Sequence, residues 1–299
     1  MADLLNPIFL DAELAREHLE ALRWANGRAC PHCGVMGESN LTASKNHKPG
    51  LYYCNACAKT FTVTVGTLFE RSHVPLNKWL MAFHLMAASK KGMSAKHLER
   101  MLGVTYKTAW FMSHRIREAM TTNPTGMLGG GSGIVEADET YWGNSGKQRK
   151  GARGYGHKMK IVSLVERDGE KRTYHVANVN AATVRPILKA QIDAKARLMT
   201  DEAATYTKAK VGREFAEHGV VKHGAKEYAR GDICTNTVES SFAILKRGLV
   251  RTFHSVSEKH LQRYCNEFDF RWNTRQSQGF TDTDRASIAL KGIEGKRLM

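Results

Sequence analysis

The sequence of 299 residues contains no long hydrophobic run. No segment approaches the roughly 20 consecutive apolar residues that a membrane-spanning helix needs, so we expect no membrane partner. Residues 1–11 lack a basic region followed by an apolar run, and we therefore expect no signal peptide. Cysteine is scarce, with six residues in the chain. This disfavours a disulfide-stabilised secreted protein and favours the reducing cytoplasm.

Acidic residues are too few to balance the basic ones. The 45 lysines and arginines exceed the 29 aspartates and glutamates, which gives a formal net charge of +16. Such an excess attracts a polyanion, and nucleic acid is the commonest soluble one. Charge alone leaves open a ribosome-associated protein or a merely soluble basic protein.

Four of the six cysteines form two CxxC pairs, which are Cys30 with Cys33 and Cys54 with Cys57. Twenty residues separate the pairs, a spacing typical of a Cys₄ zinc ribbon, in which each tight turn presents two thiolates to one Zn²⁺. Two disulfides or four free thiols are the alternative. A ribbon of about 40 residues buries too little apolar surface to fold alone, and one structural zinc ion compensates for that deficit.

The helical stretch after the ribbon contains the pattern of a helix-turn-helix. Ser94 is positioned to cap a first helix, Gly103 supplies the turn, and Thr105 is positioned to cap a second helix. On a basic protein with a zinc ribbon, this pattern predicts a DNA-binding domain. The residues that we expect to face outward from the second helix and to contact DNA are Tyr106, Lys107, His114 and Arg117.

A glycine-rich segment then predicts a linker. It is not a phosphate-binding loop, because no Gly-Lys-Ser/Thr sequence closes it. Beyond it, three consecutive strand patterns and then alternating helix and strand patterns predict a mixed α/β fold with a five-stranded sheet. Strands are expected at 134–141, 159–166, 171–179, 197–201 and 220–222, and helices at 181–194, 203–217, 236–249 and 257–272.

The chain therefore divides into six predicted segments. They are an N-terminal helix (1–26), the zinc ribbon (27–66), the helical DNA-binding domain (67–125), the linker (126–133), the mixed α/β domain (134–280) and a C-terminal tail (281–299).

Three acidic residues, far apart in the sequence, fall at positions that a mixed sheet brings together. Asp138 lies on the first strand of that sheet, Asp201 ends the fourth, and Glu239 lies in the first turn of a helix. Converging carboxylates repel one another. A pair of Mg²⁺ or Mn²⁺ ions relieves that repulsion and can activate water at a phosphodiester.

Structural alternatives exist for each of the three acids. Asp138 can serve as a hydrogen-bond partner at a strand end, and Asp201 can serve as a helix N-cap. Asn236 and Glu239 have the spacing of a capping box.

The motifs follow one another in a specific order: CPHCG, YYCNAC, the helix-turn-helix, ADETYWGN, LMTDEAATY, TNTVESSFAILKRG and RTFHSVSEKHLQRYCNEFDFRWNTR. Over nearly the whole chain, this order resembles that of bacterial insertion-sequence transposases with an N-terminal zinc ribbon, a group related to the eukaryotic Merlin transposons. The resemblance implies an RNase H-like catalytic domain with an Asp-Asp-Glu triad, carried by Asp138, Asp201 and Glu239. Family members often have Asn or Glu at the third position and a lysine further on, and Asn236 and Lys246 are also present here.

The resemblance implies a DNA transposase that binds terminal inverted repeats, cuts the element's ends and joins the 3′-OH to target DNA. It also implies two catalytic Mg²⁺ or Mn²⁺ ions beside the structural zinc, double-stranded DNA as partner, and work at the bacterial nucleoid. Because two ends must be paired, we expect a homodimer or a larger synaptic assembly. A glycine-rich basic loop carries further residues expected to grip phosphates, with a solvated loop as the alternative; they are Lys147, Arg149, Lys150 and Arg153.

Two other functions fit parts of the sequence. One is a DNA-binding regulator with a zinc ribbon and a helix-turn-helix but no catalysis. The other is a Mg²⁺-dependent RNase H-like nuclease. A regulator binds without cutting, and a nuclease needs neither a paired DNA end nor a 3′-OH.

Overall fold

The computed structural model describes residues 4–42, 49–121, 124, 126–130, 133–143, 155–207 and 211–296. These form two compact units. The first comprises the residues up to 89, residues 93–120 and the chain from 280 onward, and the second comprises residues 90–92 and 121–279. No helix in the described part of the chain is long and apolar enough to cross a bilayer.

The elements are numbered along the chain. The helices are α1 (Pro7–Leu10), α2 (Ala12–Arg23), α3 (Leu76–Ala88), α4 (Ala95–Leu102), α5 (Tyr106–Ala119), α6 (Ala181–Gln191), α7 (Asn236–Gly248), α8 (Glu258–Asn273) and α9 (Asp282–Lys291). The strands are β1 (Ser39–Leu41), β2 (Tyr52–Cys54), β3 (Thr60–Phe61), β4 (Ile134–Trp142), β5 (Met159–Glu166), β6 (Lys171–Val176), β7 (Arg197–Thr200), β8 (Glu217–Val220), β9 (Ala229–Arg230) and β10 (Ile233–Cys234).

The first unit begins with a small three-stranded antiparallel sheet in the order β1-β2-β3. Its apolar contacts are few and mainly aromatic: Trp24 meets Tyr52 edge-on with ring centroids 5.3 Å apart, and Phe61 stacks on Tyr52. The Tyr52 hydroxyl donates to the Glu20 carboxylate of α2 at 2.8 Å. So small a core agrees with the expectation that this module needs a metal ion to fold.

The predicted helix-turn-helix caps are confirmed at α4 and α5. The Ser94 hydroxyl accepts the His97 N–H at 3.1 Å, and the Thr105 hydroxyl accepts the Thr108 N–H at 3.2 Å. Gly103 ends α4 with a φ of 58°, a left-handed conformation that glycine adopts without steric cost. The local sequence therefore determines where these two helices begin and where the first one ends.

The C-terminal segment, predicted as a tail, forms α9 within the first unit. This helix contacts α3 and α5. Its start is fixed by a capping box, in which Thr281 and Asp284 exchange hydrogen bonds between side chain and backbone.

The second unit is built on the predicted mixed five-stranded sheet, which is confirmed with the strand order β6-β5-β4-β7-β8. Strands β4, β5 and β6 form an antiparallel meander, and β7 and β8 are parallel to β4. No regular α-helix is found in the described residues of the segment predicted as a helix at 203–217: it contains a 3₁₀ turn (Ala204–Tyr206) and ends where β8 begins. Tyr206 and Val211 are both buried in the core, although a spacing of five residues would not place them on one face of a regular α-helix.

Helices cover both faces of this sheet. On one face, Val135 and Ala137 of β4 pack in a core cluster with α6. On the other, Ile161 and Val165 of β5 pack with α7 and α8. Leu128, within the predicted linker, is buried in the α6-side cluster, so that part of the segment belongs to the second unit.

Helix α8 protects the exposed edge of β6. Its side chains accept the backbone N–H groups that a sixth strand would otherwise bind. The N–H groups of Lys171, Thr173 and His175 donate to Asn273, Asp269 and Gln262 at 2.7, 2.6 and 2.7 Å respectively. The sheet therefore ends at β6.

Candidate active site and metal centre

The four cysteines of the ribbon converge on one point. Their sulfur atoms all lie within 4.8 Å of one another, and the Cys30–Cys57 and Cys33–Cys54 sulfur pairs are each 3.7 Å apart. A tetrahedron of thiolates around Zn²⁺, with Zn–S bonds of about 2.3 Å, has sulfur–sulfur edges of about 3.8 Å. The geometry therefore fits one zinc ion.

The electrostatics of the cluster also favour a cation. Burial, together with hydrogen bonds to the neighbouring thiols, raises the pKa of Cys57 to about 12. Burial opposes ionisation of Cys30 as well, but the backbone N–H groups of His32 and Cys33 outweigh it and lower the pKa of Cys30 to about 6. Crowded thiols cannot all ionise without a positive charge between them, and a bound metal ion supplies it.

The sheet brings two of the three predicted acids side by side. Parallel strands β4 and β7 pair Glu136 with Met199, so continuing the register two residues further sets Asp138 beside Asp201. Asp138 shares its face of β4 with Glu136 and Thr140, the face that α7 covers. Glu239 lies in the first turn of α7, the helix that packs against the same strand.

The three carboxylates affect one another electrostatically. Burial raises the pKa of Asp138 to about 8, and the charges of Asp201 and Glu239 add to the effect, while the Glu139 N–H at 2.7 Å opposes it. Burial also raises the pKa of Asp201, against a hydrogen bond from the Ala203 N–H at 3.0 Å. Carboxylate oxygens such as those of Asp138 and Asp201 are suited to hard divalent cations such as Mg²⁺.

Glu239 is turned toward its own helix start. Its Oε1 accepts the Thr235 hydroxyl at 2.7 Å and lies 3.5 Å from Nε2 of His223. In the described part of the chain the four thiols form the one group of three or more ligand atoms within 4.8 Å of one another. The three carboxylates are therefore less closely gathered than the cysteines, and the side chain of Glu239 is 41% exposed.

The predicted capping role of Asn236 is wrong. Helix α7 begins at Asn236, which makes Thr235 the N-cap position, and no side chain there makes a capping hydrogen bond. A capping box would need Asn236 at the N-cap and Glu239 at the third helical position. Because the helix already begins at Asn236, these two residues do not form one. Asn236 itself is exposed.

His223 is a residue of this site that was not predicted from the sequence. It follows β8 in a short 3₁₀ turn whose backbone N–H groups, those of His223 and Gly224, both donate to the Glu202 carboxylate at 2.7 Å. Glu202 directly follows Asp201, so these hydrogen bonds attach the turn next to that acid, and the imidazole Nε2 lies 3.5 Å from Oε1 of Glu239. A histidine in a loop carries no periodic signal, and only its neighbours in space identify it.

Of the four residues on α5 that were predicted to face outward and contact DNA, two are buried in the structure. Tyr106 and Lys107 are exposed, as expected. His114 and Arg117 are each only 1% exposed and do not face outward. Helix α5 contacts α3, α4 and α9, so more than one of its faces is covered. Trp110 and Phe111 are exposed instead.

The remaining predicted basic contacts divide into two groups. Lys246 is exposed on α7, two turns beyond Glu239. Lys147, Arg149, Lys150 and Arg153 lie outside the described residues.

Asp138 leads to a prediction about pH. Because its folded-state pKa is about 8 and its ordinary value is 3.8, the folded protein holds a proton there that the unfolded chain has lost. Asp138 therefore stabilises the fold least at high pH, and its contribution falls as pH rises from about 4 to about 8. Without added divalent metal, Asp138→Asn should unfold at a higher temperature than wild type at pH 8. The two should differ little near pH 4.

Thermal unfolding followed by circular dichroism at several pH values measures this difference. Asp193→Asn, which changes an acid at a turn before β7, is the matched control for the loss of one negative charge from the same unit. If the difference in unfolding temperature between Asp138→Asn and wild type does not increase with pH, the assignment of a proton to Asp138 is contradicted.

Comparison with known proteins agrees with this geometry. Residues 130–273 match the model of the ISXO2-like transposase domain, and residues 10–60 match that of the transposase zinc-ribbon domain. A protein of Halobacterium salinarum, described as an uncharacterized protein in transposable element ISH50, is 30% identical over 280 residues. That match covers 88% of this chain and 91% of the relative.

The chain therefore belongs to the ISXO2-like family of DDE-type insertion-sequence transposases with an N-terminal zinc ribbon. The predicted family is confirmed, and with it the RNase H-like fold of the domain that carries the mixed sheet. Membership implies that the protein binds DNA, that the ribbon holds zinc and that the DDE domain uses a divalent metal.

Proposed function

We propose that this transposase cuts the ends of its element and joins the freed 3′-OH to target DNA. The observation that supports this most directly is that Asp138 lies on β4 and Asp201 directly follows β7, its parallel neighbour, with Glu239 close enough to raise the pKa values of both. Such a cluster of acids on a basic protein suits phosphodiester chemistry on DNA.

Each acid has a role in this proposal. Asp138, on the central strand of the sheet, would hold the catalytic metal ions together with Asp201 and Glu239. When bound, two Mg²⁺ or Mn²⁺ ions would activate the attacking oxygen and stabilise the leaving oxygen. Exposed Lys246 approaches the DNA backbone on the same helix as Glu239.

Recognition of the terminal repeats is assigned to the first unit. The start of α5, with Tyr106 and Lys107 exposed, is the part of the helix-turn-helix that is free to enter a DNA groove. The zinc ribbon assists, and the clustered positive charges of the basic segment that contains Lys147 and Arg153 attract DNA phosphates. Pairing of two ends requires at least a dimer.

A strand-transfer assay separates this function from its alternatives. In Mg²⁺, a labelled DNA duplex that ends in the terminal repeat and carries a 3′-OH should become covalently joined to a target plasmid. A duplex with a blocked 3′ end should not be joined. Binding without any joining would identify a regulator, and cutting that ignores both the repeat sequence and the 3′-OH would identify a nuclease.

Lys107 provides a test of DNA recognition. Lys107→Ala should weaken binding to terminal-repeat DNA because the exposed ammonium lies at the start of the recognition helix. If it contacts a phosphate, the slope of log K against log salt should decrease by about 0.9, and random DNA should be affected equally. If it contacts a base, the preference for the terminal repeat should decrease instead.

The matched control is Lys195→Ala, which removes the same charge from an exposed turn before β7, at the end of that strand remote from Asp201. Binding curves at four salt concentrations distinguish the variants. Equal affinity losses in Lys107→Ala and Lys195→Ala would show that only net charge matters and that α5 is not the recognition helix.

A further inference from the structure

A buried carboxylate on β4 holds the start of the helix that carries Glu239. The side chain of Glu136 is 0% exposed. Its Oε2 accepts the backbone N–H groups of Thr237 at 2.7 Å and Val238 at 3.0 Å, and its Oε1 accepts the Thr237 hydroxyl at 3.0 Å. The first N–H groups of a helix need such acceptors, and the N-cap residue of α7 does not supply one. Glu136, a hundred residues upstream, supplies it instead.

Arg167 completes this attachment. Its Nε donates to Oε1 of Glu136 at 2.7 Å. Its Nη1 donates to the Asp232 carbonyl at 2.7 Å, and its Nη2 donates to the Cys234 carbonyl at 3.1 Å. The guanidinium thus neutralises the buried carboxylate and also ties down the segment that leads into α7. A buried charge with a full set of hydrogen bonds holds one geometry, because any shift would leave it without a partner.

The hydrogen bonds of Glu136 to the start of α7 matter because Glu136 lies close in sequence to one acid of the cluster and binds the residue next to another. Glu136 and Asp138 lie on the same face of β4, about 7 Å apart along the strand. Glu239 directly follows Val238, whose N–H is bound by Glu136. One strand therefore carries an acid of the cluster and also sets where the helix with another acid begins.

We propose that Glu136, supported by Arg167, is a positioning residue that holds Glu239 within reach of the metal bound by Asp138. This inference rests on the proposed function of the three acids. Glu136 does not itself bind the metal, since its oxygens are occupied by α7 and Arg167. Its negative charge is needed because a neutral amide would offer one acceptor oxygen and would turn its NH₂ group toward the donors of α7 or Arg167.

The test uses Glu136→Gln in the full-length protein, with Mn²⁺ as the probe. Titration of Mn²⁺ followed by electron paramagnetic resonance should give a dissociation constant about 10-fold higher than that of wild type, the scale for losing an outer-sphere support. Strand transfer should fall at low Mn²⁺ and recover at high Mn²⁺, since Glu239 is still present but less well placed.

Asp269→Asn is the matched control. Asp269 is also a buried carboxylate that accepts an N–H and a hydroxyl from one threonine, Thr173, both at 2.6 Å, and it pairs with Lys171. Its hydrogen bonds join α8 to β6. Asp269→Asn should therefore lower the unfolding temperature and leave Mn²⁺ affinity unchanged, which separates positioning from stability.

A second variant covers the case in which Glu136→Gln does not fold. Thr237→Val removes the hydroxyl that donates to Glu136 and keeps the helix and the carboxylate. It should weaken Mn²⁺ binding by about fivefold, the effect of one ordinary hydrogen bond. Wild-type Mn²⁺ affinity in whichever of the two variants folds would overturn the positioning role.

Mn²⁺ binding by Glu239→Gln shows separately whether the proposed function of the three acids is wrong. If wild type and Glu239→Gln bind Mn²⁺ equally, then the three acids are not the metal site and the proposed function is wrong. If Glu239→Gln loses Mn²⁺ affinity but Glu136→Gln does not, then the function stands and only the positioning role is wrong.

Discussion

Glu239→Gln is expected to abolish DNA cleavage and strand transfer while binding to terminal-repeat DNA is unchanged. A divalent metal is held better by an anionic oxygen than by an amide, and the substitution removes that charge without changing side-chain size. The same result is expected for Asp138→Asn and Asp201→Asn. The expected loss of rate is on the order of 10⁴-fold, the scale for removing one member of a cooperating catalytic group. A transfer assay in Mg²⁺ and a binding assay in parallel measure the two effects.

Asn236→Ala is the control for this assignment. Asn236 is exposed at the first position of α7 and makes no capping hydrogen bond, so the variant should fold normally and retain most of its activity. A well-folded but inactive Asn236→Ala beside a nearly normal Glu239→Gln would reverse the assignment and make Asn236 the third ligand.

Cys54→Ser is expected to lose the zinc ion and to unfold the ribbon. Cys54 is the buried last residue of β2 and its sulfur lies 3.7 Å from that of Cys33, and a serine hydroxyl is a poor ligand for Zn²⁺. Zinc contributes roughly 10–16 kcal/mol in finger peptides, more than so small an aromatic core supplies. The zinc content measured by metal analysis should fall from one ion per chain to none. Hydrogen exchange should accelerate in β1, β2 and β3 but not in the five-stranded sheet.

Cys265→Ala serves as its control. Cys265 is a buried core thiol against α7 and lies in the other unit, so its loss should leave one zinc per chain. Wild-type protein, purified without chelators, that contains no zinc would contradict the metal assignment. A full zinc content in Cys54→Ser would show that Cys54 is not a ligand.

Local signals in the sequence predicted those elements whose ends are set by neighbouring residues. Ser94 and Thr105 cap α4 and α5 through atoms three residues away, and Gly103 ends α4 by its own backbone freedom. The CxxC pairs likewise hold two thiols each within one tight turn. Such contacts depend on a few consecutive residues, and they are therefore visible without any knowledge of the fold.

The zinc ribbon, the strand order and the positions of Asp138 and Asp201 were accessible by a longer argument. An antiparallel meander followed by a parallel strand leaves few arrangements, and the one expected places the first and fourth strands together. The resemblance of the motifs to a transposase family supplied the roles of the acids, which spacing alone left open.

Tertiary structure decided the rest, because the partners involved are distant in the sequence. The stripe of Ala109, Met112 and Ile116 predicts one inward face for α5, but α9, more than 160 residues later, covers additional surface, and His114 and Arg117 are buried. The N–H groups at the start of α7 are bound by Glu136 from β4, so the capping box suggested by Asn236 and Glu239 does not form. Sequence alone determined which residues carry charge and sulfur. Which of them meet depends on how whole helices and strands pack, since burial and hydrogen-bond partners are properties of the folded chain.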